Sequence, residues 1–179
     1  MFKKELSART LVTSALLVAL SVILRLLGFP QSGIFRIELG FAPIAVCGSL
    51  YGAAFGGLSY VAADLIGTLA TGMTPFFPIT VCKFFIGAFF GLFFHEGGKS
   101  RLIKGSRDIK SIVLCNLAIA FVVDLVFMPL ALLPISGGKT FWAIVSVRAL
   151  ALLVNIPLRI FTIWFTFKYL SPERLGIKS

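Results

Sequence analysis

Apolar residues in this chain come in long blocks, separated by short connectors that are charged or rich in Gly and Pro. Blocks of this length predict helices that are apolar nearly all round, the form a helix takes inside a bilayer. The first covers about residues 7–28, with Ala15 to Leu24 as its apolar middle. At ~1.5 Å per residue, roughly 20 residues cross the hydrocarbon. Lys3 and Lys4 ahead of this run imitate a secretory signal, but Arg25 interrupts its end and no small-residue cleavage site follows, so a retained span is expected. Residues 39–71 are apolar almost throughout, too long for one straight span and tight for two. Further spans are predicted over 79–94, 109–133 and 141–169.

The basic residues decide the topology. Lys99, Arg101, Lys104, Arg107 and Lys110 crowd one connector, Lys3, Lys4 and Arg9 the amino end, and Lys168, Arg174 and Lys178 the carboxyl end. Cytoplasmic loops collect Lys and Arg, so all three regions are expected inside. That requires an even number of crossings before Lys99, hence two short helices meeting near residues 53–57. The expected architecture is an all-α integral membrane protein: one membrane domain over 1–179, a compact bundle of six transmembrane helices, and both termini cytoplasmic. The outer connectors are then 29–38, 68–78 and 134–140. Each of the first two combines aromatic residues with turn formers and is expected to cover a cavity, since irregular backbone at membrane depth is tolerated where it lines one.

Composition agrees with the pattern. Hydrophobic residues make up 58% of the 179 positions, and the mean hydropathy of +1.00 lies far above that of a soluble domain. A formal charge of +10 raises nucleic acid as a partner. The cations sit at helix ends and in one connector, however, not in a stripe interleaved with exposed aromatics, so a lipid bilayer and no nucleic acid is the expectation.

Ionisable residues inside the spans point to chemistry. Asp64, Lys83 and Arg148 each fall about seven residues from the outer end of their predicted helix, roughly 10 Å down. A charge at mid-membrane costs about 2.5 to 3.5 kcal/mol, so three at one depth are expected to line a polar cavity open to the outside. The competing reading pairs Asp64 with Lys83 or Arg148 as glue between helices. Asp124, nearer mid-bilayer, suits either role, and Arg159, near the inner boundary, is expected to snorkel to headgroups. In the outer half, Arg25, Arg36, Lys83, Lys139 and Arg148 outnumber Glu38, Asp64 and Asp124, which favours an anionic ligand. An Arg fork takes a carboxylate in two hydrogen bonds, and Asp64 suits paired N–H donors of a heterocycle. Phe29, Phe35, Phe41, Tyr60, Phe76 and Phe77 offer ring faces for stacking, Phe76 and Phe77 foremost.

Small residues recur at a spacing of four, at Gly48, Gly52 and Gly56 and again at Gly87 and Gly91, which lets helix backbones approach within the bundle. Ala15 and Ala19 repeat the spacing on the first helix, where the contact is internal or external. There is no phosphate-cradling GxxxxGK[ST] run, so ATP hydrolysis by that route is excluded. His95 is the only histidine, Cys47, Cys82 and Cys115 fall in apolar helices, and Ser49, Ser59 and Ser146 lack a local base. No enzymatic activity, cofactor or metal site is expected.

The run Phe35-Arg36-Ile37-Glu38-Leu39-Gly40-Phe41-Ala42-Pro43-Ile44, followed by Gly48-Ser49-Leu50-Tyr51-Gly52, Ala63-Asp64-Leu65-Ile66-Gly67 and Thr74-Pro75-Phe76-Phe77-Pro78, resembles the substrate-binding (S) components of energy-coupling factor (ECF) vitamin transporters, most closely the folate group. The resemblance covers most of the chain. It implies a multi-pass protein of the prokaryotic plasma membrane that captures a vitamin from outside with high affinity. It also implies a transmembrane coupling subunit and two ATPase subunits, which drive import by toppling the S component in the membrane. Depth, charge and aromatic character single out Arg25, Arg36, Glu38, Asp64, Phe76, Phe77, Lys83 and Arg148 as the substrate-binding candidates, and the resemblance implies that Ala15 and Ala19 dock on the coupling subunit. Glu38 and Ile79-Thr80-Val81-Cys82-Lys83 depart from the folate pattern, which expects a small polar residue and a Gly-Phe-Thr run. Folate leads as ligand, with pantothenate, a pyrimidine precursor or another small vitamin as alternatives. A stand-alone ion-coupled carrier with Asp64 and Asp124 as a proton relay is the alternative of another class; no internal repeat of the carrier kind supports it.

Overall fold

The computed structural model describes residues 8–26, 39–96, 99–100, 107–138 and 140–169. Its elements are α1 (Ala8–Leu26), α2 (Phe41–Tyr51), α3 (Ala53–Ala70) and α4 (Phe77–Phe94), then a two-residue antiparallel strand pair, His95–Glu96 with Lys99–Ser100. α5 starts as Arg107–Ala118, runs on through a π-helical stretch, Ile119–Phe127, and an α-turn, Met128–Leu132, and closes in a 3-10 turn, Leu133–Ile135. α6 is Phe141–Tyr169. Among the described residues, four stretches are long and apolar enough to cross a membrane: Ala53–Ala70, Phe77–Phe94, Ile109–Leu132 and Phe141–Lys168. With the shorter α1 and α2 the described residues form six helices, which fits the expected count. The strand pair in the basic connector and the π-helical stretch are features the apolar pattern does not signal.

The long apolar segment 39–71 does divide in two, and Gly52 makes the break. Its φ of 88° lies where L side chains are strained. A Cβ there would meet the His95 ring at 3.5 Å. The same ring, through Nδ1, is 3.0 Å from the Ser49 carbonyl, so the end of α4 covers the joint between α2 and α3.

Glycines also set how closely α2 and α3 lie on α4. A Cβ at Gly48 would approach the Gly91 backbone nitrogen to 2.9 Å, and one at Gly87 would come within 2.2 Å of the Gly56 carbonyl oxygen. Backbone thus rests on backbone, which supplies the van der Waals contact that helices in lipid need in place of a hydrophobic drive. Gly87→Val is expected to lower stability by about 3 kcal/mol, the upper range for overpacking a close contact. A thermal melt of the detergent-solubilised chain checks this, and an unchanged midpoint would mean that the seam opens freely.

α1 joins the bundle through polar ties near both ends. Thr13 and Tyr51 share a hydrogen bond between their hydroxyls, and Ser21 Oγ donates to the Gly40 carbonyl at 2.5 Å. Its opposite side carries Val12, Ala15, Leu16, Ala19 and Ile23, all exposed. The core between α2, α4, α5 and α6 is built on Ile44, Phe90, Phe94, Ile112, Ile119 and Ile163, each less than 2% exposed. α6 turns Leu150, Leu153, Phe161 and Phe165 outward, as a helix bordering lipid does.

A candidate ligand cavity

A cavity of about 610 Å³ is walled by α1, α3 and α4 on one side and by α5 and α6 on the other. That volume falls within the range of about 300–1,000 Å³ typical of small-molecule sites. Among the described residues, six ionisable side chains line it: Arg25, Asp64, Lys83, Asp124, Arg148 and Arg159. Cations outnumber carboxylates there, and the remaining lining is largely apolar, with Phe41, Phe76, Ile79 and Ile86 among it.

The polar groups fall into two clusters. In the first, Arg25 Nη1 donates to Asp64 Oδ1 at 2.8 Å and to the Asp64 carbonyl at 3.3 Å, and Nη2 donates to Thr68 Oγ1 at 3.1 Å. Thr80 Oγ1 donates to the other carboxylate oxygen at 3.1 Å. One buried carboxylate therefore binds α1, α3 and α4 together. Lys83 lies nearby, its Nζ 5.0 Å from the centre of the Tyr60 ring and 3.4 Å from the Tyr60 hydroxyl.

In the second cluster, Asp124 lies within the π-helical stretch of α5 and receives both arginines of α6. Arg159 Nη1 donates to Oδ2 at 2.8 Å, and Arg148 Nη1 stands 3.7 Å from Oδ1 and 3.5 Å from the Asp124 carbonyl. Arg159 also lies over the Phe41 ring, 5.9 Å from its centre.

Of the residues singled out from sequence, the fold brings Arg25, Asp64, Phe76, Lys83 and Arg148 to one cavity. Phe77 stands outside it, 78% exposed at the start of α4. Arg36 and Glu38 lie outside the described residues, as do Phe29, Phe35 and Lys139. Asp64 pairs with Arg25, not with Lys83 or Arg148. Arg159 lines the cavity and pairs with Asp124, so the expectation that it snorkels to headgroups is corrected. Thr68, Met73, Thr74 and Phe76, from the second outer connector and its borders, face the cavity, and Ser136 of the third does too. Thr80 and Asn155 were not anticipated; both are short polar groups inside apolar runs.

Residues 9–165 match the sequence model of the family described as ECF transporter, substrate-specific component. The folate transporter FolT of Clostridium novyi (strain NT) is 26% identical over 87 residues, 48% of this chain and 51% of that protein, so the chain spans about half the length of this curated relative. A crystal structure of FolT bound with folic acid has the same fold, with a TM-score of 0.71 at 19% identity over 89% of this chain and 92% of that one.

Proposed function

The chain belongs to the substrate-specific components of ECF transporters, and on that premise we propose that it captures folate, or a vitamin with the same acidic end, from outside the cell. What carries this reading is the cavity: a ligand-sized space in which guanidinium and ammonium groups outnumber carboxylates and aromatic rings flank the polar walls. An organic anion with a flat ring system fits that lining. Arg148, the more exposed of the two arginines on α6, takes the ligand's carboxylate, with Arg25, Lys83 and the sequence candidates Arg36 and Glu38 completing the polar contacts. Phe76 supplies a ring face. The curated and structural likeness to FolT supports folate over pantothenate or a pyrimidine precursor.

On the same reading both termini lie in the cytoplasm, the host is a prokaryotic cell membrane, and the partners are a transmembrane coupling subunit and two ATPase subunits. The exposed strip of α1 around Ala15 and Ala19 is the docking face. Titrating folic acid into the purified chain in detergent tests the assignment, with pantothenate as the competing ligand. Tight, saturable binding of folic acid is expected, and preference for pantothenate would overturn it. Arg148→Ala should weaken folic acid binding by about 1.5–3 kcal/mol, the scale of a hydrogen bond to a charged group. Binding as tight as wild type would leave Arg148 only as a counter-ion to Asp124.

A further inference from the structure

Asp124 holds two guanidinium groups unequally. Arg159 is fixed by a 2.8 Å hydrogen bond to Oδ2 and by the Phe41 ring beneath it. Arg148 is held at 3.7 Å from Oδ1 and 3.5 Å from the backbone carbonyl, both longer than a well-formed N–H···O bond. Its side chain is 28% exposed against 17% for Arg159. The carboxylate itself projects from a nine-residue π-helical stretch, a backbone form that recurs where a side chain must be aimed at a site. Pairing with Asp124 is thus tight for Arg159 and loose for Arg148, and both side chains line the cavity.

We propose that Asp124 sets the cavity's selection for ligand charge. It pins Arg159 and parks Arg148, and Arg148 turns to the carboxylate of an arriving organic acid. The Asp124 charge competes with that acid for Arg148 and repels it, so it tempers the preference for an anion over a neutral molecule of the same shape. Asp124 is a positioning residue on this account, acting through Arg148. The inference rests on the proposed acidic vitamin and adds to it a named determinant of specificity.

The test measures dissociation constants for folic acid and for its α,γ-diamide, in which both carboxylates are neutral carboxamides. Wild type, Asp124→Asn and Asp124→Asn with Arg148→Gln are compared, and the readout is the ratio of the two constants in each protein. Asp124→Asn should widen the preference for the acid about tenfold, because a like charge beside the incoming carboxylate is gone. The double variant should lose that gain. A carboxylate serving only as helix glue would weaken both probes alike and leave the ratio unchanged, which overturns the proposal, as does a widened ratio that survives in the double variant. Should Asp124→Asn fail to fold, Arg148→Gln alone decides: the preference for the acid collapses if Arg148 reads the carboxylate and persists if it does not. Failure of the folate assignment looks different, since wild type then binds neither probe. Pantothenate and its uncharged alcohol, panthenol, then replace the pair in the same proteins.

Discussion

Arg25→Ala is expected to lower stability by about 3–5 kcal/mol, because it strands a buried carboxylate rather than simply deleting a cation. Asp64 is 5% exposed and takes its shortest hydrogen bond from Arg25; with that gone, only the Thr80 hydroxyl still reaches its carboxylate among the contacts described. Asp64→Asn in the same chain should restore most of the loss, since a neutral amide tolerates burial far better than an unpaired charge. Binding should not return with it. Arg25 lines the cavity, so the double variant should still bind folic acid about 1.5–3 kcal/mol more weakly than wild type. Thermal melts and folic acid titrations on the two variants separate these effects. Full recovery of both would make the pair a purely structural tie between α1, α3 and α4, and a stable Arg25→Ala chain would mean that water already compensates Asp64.

Replacing Ala15 and Ala19 together with Trp is expected to abolish vitamin uptake in cells while leaving binding by the isolated chain unchanged. The two alanines lie one turn apart on α1 and are both exposed, flanked by Val12, Leu16 and Ile23. Indole rings there meet nothing inside this bundle. Against a partner helix they would hold two backbones apart by several Å, forfeiting the close packing on which association in lipid depends. Uptake of labelled folate, alongside titration of the purified variant, reads the two effects separately. Equal loss of both would assign the alanines to internal packing, and unharmed uptake would remove them from the docking face.

The helices were legible because the bilayer imposes a simple rule: apolar runs of fixed length, with basic residues at one set of ends. Even the split of 39–71 followed from counting crossings, and the four-residue glycine spacing signalled close backbone approach within the bundle, which Gly48, Gly56, Gly87 and Gly91 make. The cavity was legible where a charge interrupts a greasy run, as at Asp64, Lys83 and Arg148. It was less so where depth alone served as the guide. Arg159, counted from the outer end of its helix, falls near the inner boundary, but Cα–Cβ bonds tilt toward a helix's N-terminus, so its long side chain leans back toward Asp124. The spacing of Arg148, Asn155 and Arg159, seven and then four positions, puts all three on one face of α6 and was the available signal. Phe77 lies outside the cavity for a local reason. It neighbours Phe76 in sequence, but Phe76 is the extended residue ahead of α4 and Phe77 its first helical one, and Phe76 lines the cavity while Phe77 is exposed outside it. The partner of Asp64 is a residue of α1 reached across the bundle, and no spacing within the sequence encodes that distance.

The glycine seam divides the molecule by stiffness. Where α3 lies on α4, backbone meets backbone at Gly56 and Gly87, and there is no layer of rotatable side chains to absorb a displacement. α6 has no such seam: it reaches its neighbours through long side chains and turns much of its length outward. Strain on the bundle is therefore absorbed more readily at α6 than where Asp64 and Thr80 stand on the seamed helices α3 and α4. The cavity thus has a stiffer side at α3 and α4 and a more compliant one at α6.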